Sequence, residues 1–208
     1  MRILDAAART FHEKGYAATR LSDIAEAANT QAGSLYYHFD SKEHLLSEVL
    51  ERGHARVFET VRKLVEDLGS TASYRDRLRV AIRAHLENNH EHDDYAAANI
   101  HLHNQIPENI RQHHIQKHRA YAAYWQELLS DAQTADEIRA DVDVSMLRLN
   151  LFGMMNWSIE WYRPGRLNIE ELADNMCATL FAGIGSPAKT VTRSNIPFNK
   201  TLPADTNT

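Results

Sequence analysis

Histidine, whose imidazole binds metal ions and transfers protons near neutral pH, is concentrated in one stretch of this sequence. His114 and His118 are four residues apart, so a helix would present both on one face, as zinc ligands often are. No cysteine lies nearby, and the spacings between the other histidines would place them on different faces of their helices. Asp93 and Asp94 could be oxygen ligands of a metal ion or part of a polar turn. Three interpretations stay open: a metal site, histidines that contact a small molecule, and the one we favour, solvated or hydrogen-bonded histidines. Eight of the twelve histidines lie within the 34 residues from 85 to 118: His85, His90, His92, His101, His103, His113, His114 and His118.

Catalysis by this histidine cluster would need a base or nucleophile held beside a metal ion. The spacing His-Glu-x-x-His, which provides that arrangement in metalloproteases, does not occur. A metal-dependent helical hydrolase is therefore kept only as an alternative. We expect no enzymatic activity, no catalytic residue, no bound metal and no cofactor.

The composition is typical of a soluble globular protein, with 43% hydrophobic and 25% charged residues in 208. The formal charge of −5 argues against binding to nucleic acid or anionic lipid through bulk charge. The single cysteine, Cys177, excludes an internal disulfide framework and fits a reducing compartment. No apolar run approaches the ~20 residues that span a bilayer, and the first residues lack a signal-peptide pattern. We expect a cytoplasmic protein with no membrane partner.

Apolar residues recur at helical spacing along the chain, and strand-like alternation is absent, which predicts an all-α fold. The helix predicted near 168–184 carries an unbroken apolar stripe, and the one before it, near 143–162, is apolar nearly all round. A helix without a polar face must be buried on several sides, so we expect the helix near 143–162 to pack against a second subunit as well as its own domain. Residues 186–208 are rich in Ser, Thr, Asn and Pro and are expected to form a flexible tail. Further helices are predicted near 54–68, 75–90, 94–105 and 108–132.

Three short helices are predicted in the first 40 residues, which is the size and spacing of a helix-turn-helix. Gly15 is placed to end the first helix, and Asn29 lies at the tight connection, where a positive φ is often needed. Thr19 is in reach as the N-cap of the second helix. Residues 40–43 look like a capping box that opens a fourth helix running through Leu50.

Several runs in this N-terminal segment agree in register with one known pattern: Ile3-Leu4-Asp5-Ala6-Ala7, Phe11, Gly15-Tyr16-Ala17-Ala18-Thr19, Ile24-Ala25-Glu26-Ala27-Ala28, Gly33-Ser34-Leu35-Tyr36-Tyr37-His38-Phe39 and Ser41-Lys42-Glu43. They span residues 2–50 without a gap and resemble the DNA-binding domain of the tetracycline-repressor (TetR) family. The resemblance implies a homodimer that binds a palindromic operator and represses transcription until a small-molecule effector binds.

The second helix of a helix-turn-helix enters the major groove with its N-terminal residues first. Here that helix would begin near Thr30 and Gln31, and the Gln31 amide can pair with an adenine edge. Residues 1–42 contain five basic and five acidic side chains, so affinity must come from a few well-placed groups and from the doubling of contacts in a dimer. The residues expected at the DNA are Thr19, Arg20, Thr30, Gln31, Ala32, Gly33, Ser34, Tyr36, Tyr37 and Lys42.

A weaker resemblance continues further along the chain, where Asn156-Trp157, Trp161 to Gly165 and Leu167 to Gly183 are similar to the effector domain of a branch that commonly senses acyl-CoA thioesters. Such an effector needs an apolar slot together with cations and aromatic surfaces for its nucleotide end. Part of the set, including Phe152 and Met155, could instead be core or dimer packing, and Arg163 could cap a helix. The residues expected to line the site are His101, Asn104, Gln105, Trp125, Phe152, Met155, Asn156, Ile159, Trp161 and Arg163.

The sequence therefore predicts a helix-turn-helix domain at 1–50, an effector-binding and dimerisation domain at 51–185, and a tail at 186–208. The expected partners are double-stranded operator DNA, an acyl-CoA-like or otherwise hydrophobic effector, and a second copy held through the last two helices. Metal binding through the histidines, a metal-dependent hydrolase, and a DNA-binding protein without a small-molecule effector are the alternatives.

Overall fold

The computed structural model describes residues 2–91, 93–102 and 105–183, and the secondary structure of this part is helical throughout, which confirms the all-α prediction. None of its helices is long and apolar enough to cross a membrane. The predicted tail, 186–208, lies outside the described residues. The helices are α1 (Arg2–Ala18), α2 (Leu21–Ala27), α3 (Ala32–His38), α4 (Lys42–Glu66), α5 (Tyr74–Glu91), α6 (Asp93–His101), α7 (Glu108–Thr134), α8 (Val144–Trp161) and α9 (Ile169–Ala182).

Helix α4 is a single helix of 25 residues, where the sequence pattern predicted one helix through Leu50 and another near 54–68. Gly53 does not end it, because this glycine is buried in mid-helix at a close approach to α6. A Cβ atom at Gly53 would lie 2.6 Å from Nδ2 of Asn99, so a larger residue would push the two helices apart. The predicted domain boundary between residues 50 and 51 therefore falls inside a continuous helix that extends into both halves of the protein.

Two hydrophobic clusters form the core. One combines α1, α2, α3 and the first half of α4 with apolar residues of α6 and its surroundings, such as Tyr95, Leu102 and Ile106. The other is formed by the second half of α4 with α5, α7, α8 and α9 around the fully buried Trp125. Because α6 contributes to the N-terminal cluster while following α5 in the chain, it connects the two halves of the fold.

The local backbone around the helix-turn-helix follows only some of the sequence signals. Asn29 has a φ of 50°, as expected for the tight connection, whereas Gly15, with φ 75° and ψ 163°, interrupts α1 without ending it, since the helix continues to Ala18. Ser41 caps α4, since its hydroxyl accepts a hydrogen bond of 3.0 Å from the backbone N–H of His44, but the predicted capping box is not formed, because the third residue of the helix is His44 and not Glu or Gln. The prediction that Thr19 caps α2 was wrong: the cap is Arg20, whose backbone N–H donates to the Asp23 carboxylate.

Candidate DNA-binding surface and effector cavity

Helix α3 presents a polar face to solvent and is held by one apolar anchor. Leu35 is fully buried against the N-terminal core, whereas Tyr36 and Tyr37 are 58% and 86% exposed. Gln31, Gly33 and Ser34 are exposed as well, Thr30 is half-buried, and the side chain of Ala32 lies outside the described residues. Hydroxyl and amide groups on a short, exposed helix are suited to contact phosphates and base edges.

Lys42 joins the end of α1 to the start of α4. Its Nζ atom donates to the carbonyl oxygens of Tyr16 at 2.9 Å and Thr19 at 3.0 Å, and it lies 4.3 Å from the centre of the Tyr16 ring. The Tyr16 hydroxyl donates to the Glu43 carboxylate, and this hydrogen bond lowers the pKa of Glu43. An ammonium group has three donors, so these two carbonyl groups leave one N–H of Lys42 for a further acceptor.

The other N-terminal residues proposed for DNA contact differ in how they are exposed. Arg20 is exposed and immediately precedes α2 as its N-cap. The side chain of Thr19 is 2% exposed, and its hydroxyl donates to the Gly15 carbonyl at 2.7 Å. The predicted DNA contact from this side chain is therefore replaced by a structural role, because a buried hydroxyl cannot reach a phosphate.

A cavity of about 510 Å³ lies between helices α4 to α8. Its walls combine apolar side chains with a large share of amides and imidazoles, and no aspartate or glutamate of the described residues lines it. The apolar wall consists of Val57, Ala96, Ile100, Ala122, Leu149 and Phe152, with Gly53 between them. The polar wall consists of His54, His85, Asn88, Asn89, Asn99, His118, Tyr121, Arg148 and Asn156.

A buried chain of hydrogen bonds forms one side of the cavity. The Nδ1 atom of His85 lies 2.9 Å from the Tyr121 hydroxyl, and its Nε2 atom lies 2.9 Å from Oδ1 of Asn156. Burial lowers the pKa of His85 to about 4, so its ring is neutral at pH 7. Because a carboxamide oxygen only accepts, Nε2 carries the hydrogen and Nδ1 accepts from the tyrosine.

Of the residues predicted to bind the effector, Phe152 and Asn156 line this cavity. Trp125 and Met155 are fully buried in the core, where the Trp125 ring packs edge-on against Phe152 with centroids 5.7 Å apart. Gln105 lies elsewhere: its Oε1 atom accepts a hydrogen bond of 3.2 Å from the backbone N–H of Tyr16. Asn104 and the side chain of His101 lie outside the described residues.

The three predicted residues at the end of α8 are not among those that line the cavity. Ile159 is half-buried, and Trp161 is 51% exposed beside α9. The Arg163 Nη1 atom donates to the carbonyl oxygen of Tyr162 at 2.7 Å and lies 3.4 Å from that of Ile159. Arg163 therefore caps the C-terminus of α8, as the alternative interpretation had it.

Most residues of the polar wall were not predicted from the sequence, although α5 carried a signal for them. The buried apolar residues Leu78, Ala81 and Ile82 are continued at helical spacing by His85, Asn88 and Asn89. Polar residues that replace apolar ones on an inward face must be hydrogen-bonded or line a polar site.

The described residues hold no group of three or more His, Cys, Asp or Glu side chains arranged to bind a metal ion. The rings of His54 and His118 are in contact at an interplanar angle of 50°, with centroids 4.2 Å apart, and both line the cavity. His92, His103 and the side chains of His113 and His114 lie outside the described residues, so the His114–His118 pair is not observed. The metal-binding and hydrolase alternatives gain no support from this geometry.

An apolar groove follows α8 and α9 on the outside of the protein. Trp157 is 66% exposed on its α8 side, and Trp161 is next to it. Leu172 and Met176 form the floor from α9 and are themselves buried in the core. Two exposed tryptophans on adjacent turns make an apolar patch of the kind that marks an interaction surface.

An exposed helix-turn-helix on one half of the molecule and a partly open cavity in the other define a DNA-binding regulator with a ligand-binding domain. The family model described as "Tetracyclin repressor-like, C-terminal domain" matches residues 71–184, more than half of the chain. The model "Bacterial regulatory proteins, tetR family" matches residues 3–49. The chain therefore belongs to the TetR family of transcriptional regulators.

The similarity to several named proteins covers most of the chain. The HTH-type transcriptional repressor KstR2 of Rhodococcus jostii is 28% identical over 191 residues, which are 89% of this chain and 90% of that protein. The crystal structure of AibR in complex with isovaleryl coenzyme A and operator DNA has a TM-score of 0.77 at 29% identity, covering 86% of this chain and 96% of that one. The ketosteroid transcriptional regulator KstR2 of Mycobacterium tuberculosis has a TM-score of 0.76 at 27% identity, covering 87% and 92%.

Proposed function

We propose that this chain is a cytoplasmic transcriptional repressor without enzymatic activity, which binds a palindromic operator as a homodimer and leaves it when an acyl-CoA-like effector enters the cavity. The observation that carries the proposal is the path of α4. This helix begins at Lys42 in the DNA-binding half and contributes Gly53, His54 and Val57 to the cavity wall eleven to fifteen residues later. Any ligand that moves the cavity portion of a rigid helix also moves Lys42 and the helix-turn-helix beside it.

Operator binding rests on the exposed face of α3. Gln31 and Ser34 supply donors and acceptors for base edges, and Tyr36, Tyr37, Arg20 and Lys42 supply donors for phosphates. Two such domains bind successive major grooves when their recognition helices are about 34–36 Å apart. A ligand that favours another separation weakens operator binding, and by thermodynamic linkage the operator weakens ligand binding by the same factor.

The cavity suits the acyl part of a thioester better than the whole molecule. Its volume of about 510 Å³ is in the usual range for small-ligand pockets. The half-buried Arg148, whose Nε donates to Gln126 at 3.0 Å, adds a cation to the wall, as an anionic effector requires. AibR, whose fold this chain shares over most of its length, is a regulator that binds both isovaleryl coenzyme A and operator DNA.

Helix α6 offers a second route from the cavity to the DNA-binding half. It lines the cavity with Ala96, Asn99 and Ile100, while the Tyr95 hydroxyl donates to the Asp5 carboxylate of α1 at 2.8 Å. On the same side of α6, Asp94 pairs with Arg9 of α1 at 3.5 Å. A shift of α6 on ligand binding therefore acts directly on α1.

We assign the groove on α8 and α9 to a second copy of the chain. An isologous contact between two such helix pairs produces a four-helix bundle, which buries Trp157 and Trp161 of both subunits and fixes the separation of the two DNA-binding domains. Trp157→Glu should yield monomers by light scattering, because it places a charge in this interface. Trp157→Phe keeps the face apolar and should remain dimeric, and a dimeric Trp157→Glu protein would show that the copies meet elsewhere.

The proposal is tested by releasing the full chain from its operator fragment, selected from random DNA, with CoA thioesters. Isovaleryl-CoA and longer acyl-CoA species should dissociate the complex in a gel-shift titration, whereas CoA alone and the free acids should act far more weakly. Ala122→Trp fills the cavity and should keep operator binding but lose the response, while Ala123→Trp, on the exposed neighbouring position, should respond normally. No selected operator, or equal release of both variants, would overturn the proposal.

A further inference from the structure

The buried wall of the cavity carries more hydrogen-bonding groups than a plain hydrocarbon can satisfy. Three imidazoles, four carboxamides and one phenol line it together with the apolar side chains around Phe152. His85 and Asn89 are each 4% exposed, so their positions are well inside the protein. An alkyl chain offers no hydrogen-bond partner to any donor of this wall that is not already bonded within the protein, whereas an oxygen acceptor does.

The protein itself already uses part of this capacity. Asn89 donates through Nδ2 to the Met155 carbonyl at 3.4 Å, and Asn99 donates through Nδ2 to the Tyr95 carbonyl at 2.9 Å. Tyr121 and both ring nitrogens of His85 are engaged with each other and with Asn156. These bonds orient the wall before any ligand arrives.

Asn156 is the member of this wall that is set up to act on an occupant. Its Oδ1 atom accepts from Nε2 of His85, which prevents the carboxamide from rotating by half a turn without loss of that bond. The NH2 group of the same carboxamide is thereby fixed as a donor on a half-buried side chain that lines the cavity. A fixed donor inside a cavity is complementary to an acceptor oxygen.

The charge of the wall favours the same kind of ligand. None of the lining residues is acidic, His85 is neutral at pH 7, and the one permanent cation of the wall, Arg148, is held to Gln126 on α7. An oxygen acceptor thus meets donors without repulsion. The apolar surface of Val57, Ile100 and Phe152 accommodates the carbon skeleton that carries it.

We propose that the cavity selects an effector whose acyl or ring part carries an oxo or hydroxyl oxygen, which accepts a hydrogen bond from the Asn156 carboxamide, over an unsubstituted acyl chain of the same length. The inference deepens the proposed function and rests on it. Tyr121 and His85 act as positioning residues. They hold the Asn156 carboxamide in place, and it is this carboxamide that contacts the ligand oxygen. A site built to pair with a ligand oxygen discriminates strongly against the analogue that lacks it.

Isothermal titration of the full-length protein with CoA thioesters of equal carbon number tests this selection. The panel contains hexanoyl-CoA, its 3-oxo, 3-hydroxy and 5-oxo derivatives, and CoA itself. At least one oxygenated thioester should bind 10-fold to 100-fold more tightly than hexanoyl-CoA, and it should release the operator at correspondingly lower concentration. If hexanoyl-CoA binds as tightly as every oxygenated member, the inference is wrong while the proposed function stands; if no thioester binds, both are wrong.

Asn156→Leu tests the residue assignment. This variant should bind the oxygenated thioester more weakly and hexanoyl-CoA as tightly as before, so that the preference for the oxygenated thioester falls to less than 3-fold. Tyr121→Phe should reduce it partly, because His85 then no longer has a donor to fix its orientation. A general loss of packing would weaken both ligands alike, so the ratio of affinities separates recognition from structure. Asn156→Ala serves if the leucine variant does not fold, and an unchanged ratio in a folded variant would contradict the role of Asn156.

Discussion

The DNA-facing surface and the cavity are built in opposite ways. The candidate DNA contacts all lie between residues 19 and 42, in and around α2 and α3 and at the start of α4, and most of them are exposed. The cavity wall is drawn from five helices between residues 53 and 156 and is partly open to solvent. The first surface is specified by local sequence, whereas the second exists only after distant helices have packed. A regulator can thus keep one DNA-binding pattern while its effector site changes.

The two regions also use polar groups differently. On α3 the hydroxyl and amide groups are hydrogen-bonded to water in the unbound protein. Leaving them without a protein partner therefore costs little free energy. In the cavity His85, Tyr121 and Asn156 are hydrogen-bonded to one another, and burial suppresses ionisation, as the low pKa of His85 indicates. Changes on α3 should therefore affect binding to DNA and little else, whereas changes in the cavity should affect stability as well.

The largest effect is expected from Gln31→Ala combined with Tyr37→Phe. The double variant loses a base contact and a phosphate contact in each half-site, worth about 1–3 kcal/mol for the base alone, so operator affinity should fall by roughly 100-fold or more. Thermal stability and dimer content should stay unchanged because both side chains are exposed. Gel shifts at fixed salt measure the loss, with the exposed Glu59→Gln as control; full affinity would place the DNA contacts elsewhere.

An intermediate effect is expected from the pH dependence of folding stability. The pKa of His85 is about 4 in the folded protein and about 6.5 when unfolded, so the unfolded state binds more protons between these values. The stability contributed by neutral His85 is present above pH 6.5 and is lost as pH falls towards 4, with about 2 kcal/mol gone at pH 5. His85→Gln should lack this component in urea unfolding at pH 7 and pH 5.

For this pH experiment, Ala123→Ser is the matched control, since it changes an exposed position on α7 without a titrating group. It should reproduce the wild-type difference in unfolding free energy between the two pH values. If His85→Gln also reproduces that difference, His85 is not buried as a neutral ring and the contrast between the two regions weakens.

The smallest effect is expected at Gln105, one of the residues through which the C-terminal half contacts α1. Gln105→Met removes the acceptor for the Tyr16 N–H beside Gly15, a hydrogen bond worth about 1 kcal/mol. Release of the operator should then need several-fold more effector, while effector affinity measured without DNA stays the same. The exposed Glu127→Gln should leave both unchanged. A proportional loss of effector affinity would mean that Gln105 supports the cavity and not the coupling.

The sequence predicted well where the signal is local. The apolar stripe of α9, the positive φ of Gly15 and Asn29 and the Ser41 cap depend on neighbours within one or two turns. It failed where burial or a remote helix decides. Thr19 looked like a cap with DNA contacts, but its side chain is buried and its hydroxyl donates to the Gly15 carbonyl. The pattern predicted separate helices before and after residues 51–53, but α4 is continuous there, with Gly53 at the close approach to Asn99.

The effector residues show the same limit. Phe152 and Asn156 were recognised on α8, yet the pattern could not tell the lining face from the end of the helix, where Trp161 and Arg163 lie. His54 and Asn99 carried no local signal at all, because their role depends on which helix packs opposite.

By itself the sequence determined the all-helical class, the helix-turn-helix and the family, because helix periodicity, caps and recognition residues are encoded over short distances. Only the tertiary structure decided that α4 runs unbroken from the DNA-binding half to the cavity, that Thr19 is buried, and that hydrogen-bonding side chains form one wall of the cavity. These properties arise from side chains far apart in the sequence, whose hydrogen bonds and burial come into being when the helices pack.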